Sequence, residues 1–341
     1  MDKKQVLLMA GGGTLGSYTA KELLRLGYQV DIIALEDLHS LNRNLNYIKG
    51  MVTDEMLLDL FAKKHYDAIV DFVLYTDPKA YEKRADLLLA NTDQLIFLSS
   101  YRTFADEEHP IRESSPQWLD VTKDEYMLEH EDYAIPKSHC ERYLRSLPNR
   151  NWTIIRPVIS FSHFRLDLIT IGAGQLLRGL EGKKILAPEA CRNNFAGLSW
   201  AGDCGKLIAR LVCNPKAMGE DFIIGTGESR TWQEVADMYT EMLGCEFVWV
   251  DTETYLENAT GNGYMTRCSM FFDRILDRTY DATKILTVTG TKPEDITGVR
   301  AGLIHELEIL SSRPDLMARF DSPGIRKVNE KMDAYLAAHN L

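Results

Sequence analysis

The chain has 341 residues, enough for one large domain or two modest ones. Its net charge of −11 argues against nucleic acid as the main partner, because phosphate recognition needs a basic face that displaces counterions. No apolar run is long enough to span a bilayer, and the opening MDKKQVLLMAGG runs straight into a strand and a Gly loop without the shape of a secretory signal.

The first half alternates short apolar runs with amphipathic stretches. QVLLM (5–9) reads as a buried strand, SYTAKELLRLG (17–27) as a helix stopped by Gly27, and YQVDIIAL (28–35) as the next strand. A helix follows at 54–65, a strand at 67–75, and a helix at 77–91 with Pro78 in its first turn. QLIFLSS (94–100) and WTIIRP (152–157) read as further strands. This alternation predicts a parallel sheet covered on both faces. Beyond about residue 160 the pattern loosens. GKLIARLV (205–212) is helical, DFIIGTG (221–227) a short strand, TWQEVADMYTEML (231–243) a helix that Thr231 caps, and another helix starts in 293–310.

Gly11, Gly12, Gly13 and Gly16 stand between the first strand and the first helix. Small residues there let the backbone approach a dinucleotide pyrophosphate, and the N–H groups of the helix start point at it. An acid about twenty positions further on is expected to hold the adenosine ribose, and Glu36 stands at that distance. With no Arg or Lys at that place to receive a 2′-phosphate, NAD is favoured over NADP. Tyr133 and Lys137 are four residues apart, which puts them on one face if a helix begins near Asp132. A neighbouring ammonium and a bound nicotinamide cation favour the phenolate, making the Tyr a proton shuttle. Upstream, the strand IFLSS delivers two serines, whose hydroxyls can orient a reacting oxygen towards the phenol.

Together these residues resemble the extended short-chain dehydrogenase/reductases, the NAD-dependent epimerase/dehydratase family, over most of the chain. AGGGTLGS is similar to the family's TGGxGxxG loop, FLSSYRTF to the strand that delivers the active-site Ser or Thr, and YAIPK to YxxxK. GLSWAGDCGKLIARLV and GEDFIIGTGESRTWQEVADM resemble two later family segments. The resemblance implies an α/β fold: a Rossmann-like doubly wound parallel sheet with a smaller, mixed C-terminal substrate-binding domain. Residues 1–160 would form the dinucleotide-binding part with 195–225 returning to it; 161–194 and 226–341 would form the substrate part. It assigns catalysis to Ser100, Tyr133 and Lys137. It assigns the cofactor to Gly11, Gly13, Thr14, Leu15, Gly16, Glu36, Ser99 and Lys137. Tyr101, Arg102, Arg165 and Arg192 are the candidates for substrate contacts. The substrate implied is a small molecule, a nucleotide-activated sugar, and the assembly a homodimer through helices 77–91 and 133–147.

Departures from the family pattern narrow the activity. Met9 and Ala10 replace the usual Thr and first Gly of the loop, the family's strand-ending acid falls on Ala34, and GMVTD makes Asp54 the candidate adenine contact. Sugar 4,6-dehydratases of the family carry Thr-Asp-Glu where this chain has Ser100-Tyr101-Arg102, so water elimination is disfavoured. Epimerisation and ketone–alcohol redox need only Ser, Tyr, Lys and the nicotinamide. Three readings stand: a nucleotide-sugar epimerase or oxidoreductase, a reductase of a non-sugar ketone, and a catalytically silent NAD- or RNA-binding protein. The last is suggested by DFVLY, which resembles an atypical branch with plastid RNA-binding relatives. Six widely spaced cysteines without a CxxC pair suit reduced thiols in the cytoplasm, and neither they nor the eight histidines give metal-ligand spacing, so no metal site is expected. The charged loop 104–117 is placed near the cleft.

Overall fold

A computed structural model describes residues 3–131, 133–170 and 174–341. The chain divides into two compact units, 1–160 with 201–227 and 281–297, and 161–200 with 228–280 and 298–341.

The first unit is built on a seven-stranded sheet. Its strands are β1 (Gln5–Met9), β2 (Gln29–Ala34), β3 (Leu45–Lys49), β4 (Ala68–Asp71), β5 (Leu95–Leu98), β6 (Trp152–Pro157) and the last strand Glu220–Ile224. The order runs last strand–β6–β5–β4–β1–β2–β3, and every neighbouring pair is parallel. Central strands read as unbroken apolar runs because both faces are covered: Val6, Leu7, Leu8, Ile69, Val70, Ile96 and Phe97 are fully buried. From β1 the chain moves first to one side (β2, β3) and then, from β4, to the other. The β1–β4 junction is therefore the topological switch point, outside whose carboxyl ends such sheets bind ligands.

The connecting helices carry their stop and start signals. Helix α1 (Thr14–Arg25) closes with the Tyr28 N–H on the Leu23 carbonyl and the Gly27 N–H on the Leu24 carbonyl, with Gly27 at φ +91°. Thr53 caps α2 (Asp54–Phe61), and Asp77 caps α3 (Pro78–Leu89), whose Pro78 fills the first turn. Outward residues of α3 and of the helix Ala134–Ser146 are polar and paired within the chain: Arg84 with Asp54, Tyr143 with Asp86, Arg142 with Asp120. A dimer through these two helices would thus be a polar contact, and Asp54 is engaged by Arg84.

One feature departs from expectation. Segment 281–297, assigned from the sequence to the substrate part, belongs to the first unit, because helix Thr283–Thr289 packs on helix Ala201–Leu211 and on the last strand. The loop 104–117 is tied down on the first unit. Glu113 accepts the Ile223 N–H of the outer strand at 2.9 Å, and the Ile111 carbonyl accepts from Asp281 at 2.9 Å. An edge strand covered by its own chain cannot recruit another.

In the second unit the strands Lys184–Pro188 and Glu246–Val250 pair in parallel, and Phe195–Ala196 pairs antiparallel with Arg230–Thr231. Leu186, Tyr255, Leu256, Met270 and Met332 form a core beneath helices Thr252–Ala259 and Pro323–Ala338. Thr231 and Glu234 form a capping box at the start of Trp232–Leu243. Among the described residues no helix is long and apolar enough to cross a membrane.

Candidate active site

The Gly loop leaves β1 through Ala10, at φ +54°, and enters α1 at Gly13. A side chain at Gly16 would stand 2.3 Å from the Gly11 carbonyl oxygen, and one at Gly11 2.7 Å from Leu8 Cβ. These two glycines are required by close packing of loop, helix and strand. Gly13 differs: a Cβ there would meet nothing within 4 Å. It therefore leaves the helix start open to an incoming group. No acidic residue stands in the first turn of α1 to repel an anion. Thr14 and Leu15 form that turn. Glu36 is exposed beyond β2, and its Oε2 lies 3.3 Å from where a Gly12 side chain would begin. Buried Ala34 ends the strand, so the acid reaches the loop from two residues further on.

The dyad is set by β5 and the helix Ala134–Ser146. Tyr133 is the residue before that helix, with φ −127° and ψ −68°; Asp132, where the helix was expected to begin, lies outside the described residues. Lys137 is 3% exposed. Its Nζ donates to the Leu98 carbonyl at 2.6 Å and stands 5.4 Å from the centre of the Tyr133 ring. The Arg102 guanidinium stands 5.4 Å from the same ring centre. Ser100 follows β5, and its hydroxyl oxygen accepts the Arg102 N–H at 3.2 Å, fixing the turn Tyr101–Thr103. A hydroxyl that accepts there keeps its own proton to donate. Ser100, Arg102, Tyr133 and Lys137 thus gather at the carboxyl end of β5.

Other expected residues are placed differently. The Ser99 hydroxyl, expected to contact the cofactor, donates to the buried Glu141 carboxylate. Tyr101, expected to line the substrate, is 1% exposed and packs edge-on against Phe104 at 5.9 Å. The short helical turn after Ser100 directs it into the core. Arg165 and Arg192 lie in the second unit. Arg165 is exposed, whereas Arg192 bonds Gln233 at 2.6 Å and covers the Trp249 ring at 5.3 Å.

Several residues escaped the sequence reading. Glu131, 2% exposed, accepts the N–H groups of Tyr133 and Ile135 at 3.2 and 2.9 Å through Oε2, and Arg102 at 3.0 Å through Oε1. Asp71 closes β4 at the switch point, fully buried, accepting from Val73 N at 3.0 Å and the Tyr75 hydroxyl at 2.9 Å. Burial pushes its carboxyl up to about 6, against the pull of those two bonds and of the Arg84 and Lys137 charges. Behind Ser99, Glu141 and Arg156 form a fully buried two-bond pair at 2.8 and 2.6 Å. Leu35, Met51 and Leu74, just past the carboxyl ends of β2, β3 and β4, are 67, 72 and 56% exposed. They make an apolar rim on the side of the sheet where the Gly loop lies. Apolar residues close after the carboxyl ends of parallel strands were the available signal.

No family model matches the chain, and no curated protein matches it. Solved structures do. The epimerase Mth375 of Methanothermobacter thermautotrophicus aligns over 93% of this chain and 95% of its own at 16% identity, with a TM-score of 0.68. The Bordetella bronchiseptica enzyme WbmG, solved with NAD and UDP, aligns over 91 and 96% at 18% identity, TM-score 0.64. MoeE5, solved with UDP-glucuronic acid and NAD, aligns over 90 and 99% at 16% identity, TM-score 0.63. The chain therefore has the Rossmann-like fold of these enzymes, with a parallel seven-stranded sheet and a strand–Gly loop–helix opening, along nearly its whole length.

Proposed function

We propose that this chain is an NAD-dependent enzyme of the extended short-chain dehydrogenase/reductase type. It acts on a nucleotide-activated sugar as an epimerase or oxidoreductase. The observation that carries the reading is the Tyr133 ring facing Lys137 at 5.4 Å, with Ser100 just past β5, in the unit that carries the Gly loop. The same fold occurs in WbmG with NAD and UDP and in MoeE5 with UDP-glucuronic acid and NAD. The close-packed Gly11 and Gly16, the open Gly13 and the acid-free helix start fit a pyrophosphate. Glu36 fits a ribose with two free hydroxyls, and Leu35, Met51 and Leu74 offer apolar flanks for an adenine. Nicotinamide, when bound, supplies the hydride acceptor and donor.

Chain residues do the rest. Ser100 donates a hydrogen bond to the substrate oxygen and holds it towards Tyr133. Tyr133 takes the hydroxyl proton as the alcohol is oxidised and returns it when a ketone is reduced. The Lys137 ammonium stands over the Tyr133 ring and is itself held by the Leu98 carbonyl. Elimination is disfavoured, because the one carboxylate at Tyr133 among the described contacts, Glu131, is buried and occupied by three donors.

The test is incubation with NAD and a panel of UDP-, GDP- and dTDP-sugars, with products separated by chromatography. Wild type should convert at least one, and Tyr133→Phe should lose about 10²–10⁴-fold in rate, the usual worth of a general acid–base group. Full turnover by Tyr133→Phe would overturn the assignment. NADH binding without action on any nucleotide sugar would overturn the substrate class.

A further inference from the structure

Glu131 stands two residues before the YAIPK motif, yet it touches both the backbone of Tyr133 and the Arg102 side chain at its ring. One oxygen accepts the first N–H groups of the helix, from Tyr133 itself at 3.2 Å and from Ile135 at 2.9 Å. The other accepts from Arg102 at 3.0 Å. Arg102 in turn stands 5.4 Å from the Tyr133 ring centre, matching Lys137 at 5.4 Å. The carboxylate is side-chain inaccessible and the Arg102 side chain 12% exposed, so neither is a loose surface group. An ion pair this buried is costly to break, because its survivor is left charged and desolvated.

We propose that Glu131 is a positioning residue for Tyr133: it pins the backbone at the head of the helix and, through Arg102, holds a second cation against the phenol ring. The inference rests on the proposed catalytic role of Tyr133, and it gives Arg102 a place facing the proton-transfer group instead of the substrate. Among the described residues, charged groups reach the phenol or its backbone from three places: Lys137 from the helix beyond it, Arg102 from the turn after β5, and Glu131 from the segment before it. Asp71 acts on Lys137 from β4. The guanidinium stays at the ring only while its side chain is held there. Arginine has several competing rotamers, and the charged hydrogen bond to Glu131 Oε1 selects this one.

The test uses the full chain labelled with 3-fluorotyrosine and read by fluorine NMR. The resonance of position 133 is identified by its absence in Tyr133→Phe. Glu131→Gln keeps an oxygen for the two N–H groups but turns a donor towards Arg102. Arg102→Met removes the guanidinium and keeps the stem. Both single variants should displace the 133 resonance in the same direction, and the double variant should move it no further than either single, since both remove one contact. Glu131→Ala, which also removes the cap, should broaden the line. An unmoved resonance in Glu131→Gln, or single displacements that add in the double variant, would overturn the proposal. NADH titration of the same samples separates the two inferences. Absence of binding in wild type sinks the proposed function, while the resonance pattern still decides the positioning role.

Discussion

Lys137 faces Tyr133 with its ammonium 5.4 Å from the ring centre while bonded to the Leu98 carbonyl at 2.6 Å. The lysine is thereby locked between β5 and the helix that carries the tyrosine. Replacing it with Met should leave the Leu98 carbonyl without this donor and the phenol without one of its two neighbouring cations. Lys137→Met should lower turnover by about 10²-fold or more, while circular dichroism shows the fold retained.

The two kinds of loop glycine should separate binding from folding. Gly16→Ala places a carbon 2.3 Å from backbone oxygen, so both melting temperature and NADH affinity should fall. Gly13→Ala meets nothing in the chain and has φ −88°, which alanine accepts. Its melting temperature should match wild type while NADH affinity drops, because the methyl occupies the phosphate approach. Calorimetry and fluorescence titration on both proteins check this.

Glu36 should set the preference for NADH over NADPH. Glu36→Ser should weaken NADH and narrow the ratio of the two dissociation constants, measured side by side. The same ratio in both proteins would show that the acid does not face the ribose.

The buried pair of Glu141 and Arg156 gives an acid-sensitive term. Burial raises the Glu141 carboxyl, but the charge and hydrogen bonds of Arg156, with Arg145 and Ser99, outweigh it, and the net shift is downward. A depressed native value contributes stability that is full above the unfolded glutamate range, about 4.3, and drains as pH falls below it. Glu141→Gln should cost about 3 kcal/mol at pH 7, the low end for breaking such a pair, since Asp221 still contacts Arg156 at 2.8 Å. That penalty should shrink in urea melts below pH 4.

Asp71 should behave oppositely. Its native value, about 6, lies above the unfolded value of about 3.9. The term is therefore full below about pH 4 and lost as pH rises through about 6. Asp71→Asn should compare more favourably with wild type at pH 8 than at pH 4.5 in denaturant melts.

Legibility in the sequence followed distance along the chain. The strand–Gly loop–helix opening, the capped α3 and the four-residue Tyr–Lys spacing are local patterns, and each reads directly. Apolar runs alone do not show β3, because Leu45–Lys49 is a half-buried edge strand without one. The expected strand 67–75 shortened to Ala68–Asp71 because Asp71 turns the chain by binding Val73. Partners of buried charges could not be read, since nothing local ties Arg102 to Glu131 or Ser99 to Glu141. The sequence places Tyr101 in the cleft because the turn that buries it depends on the Ser100 hydroxyl accepting the Arg102 N–H, a contact no local pattern announces.

Energy transfer from the protein's tryptophans to bound NADH, titrated against wild type, Tyr133→Phe and Gly16→Ala, tests the central claim most directly. Saturable binding by wild type and Tyr133→Phe, lost in Gly16→Ala, is the predicted result. No saturable binding by wild type would contradict it and leave the Tyr133–Lys137 pair without a cofactor to serve.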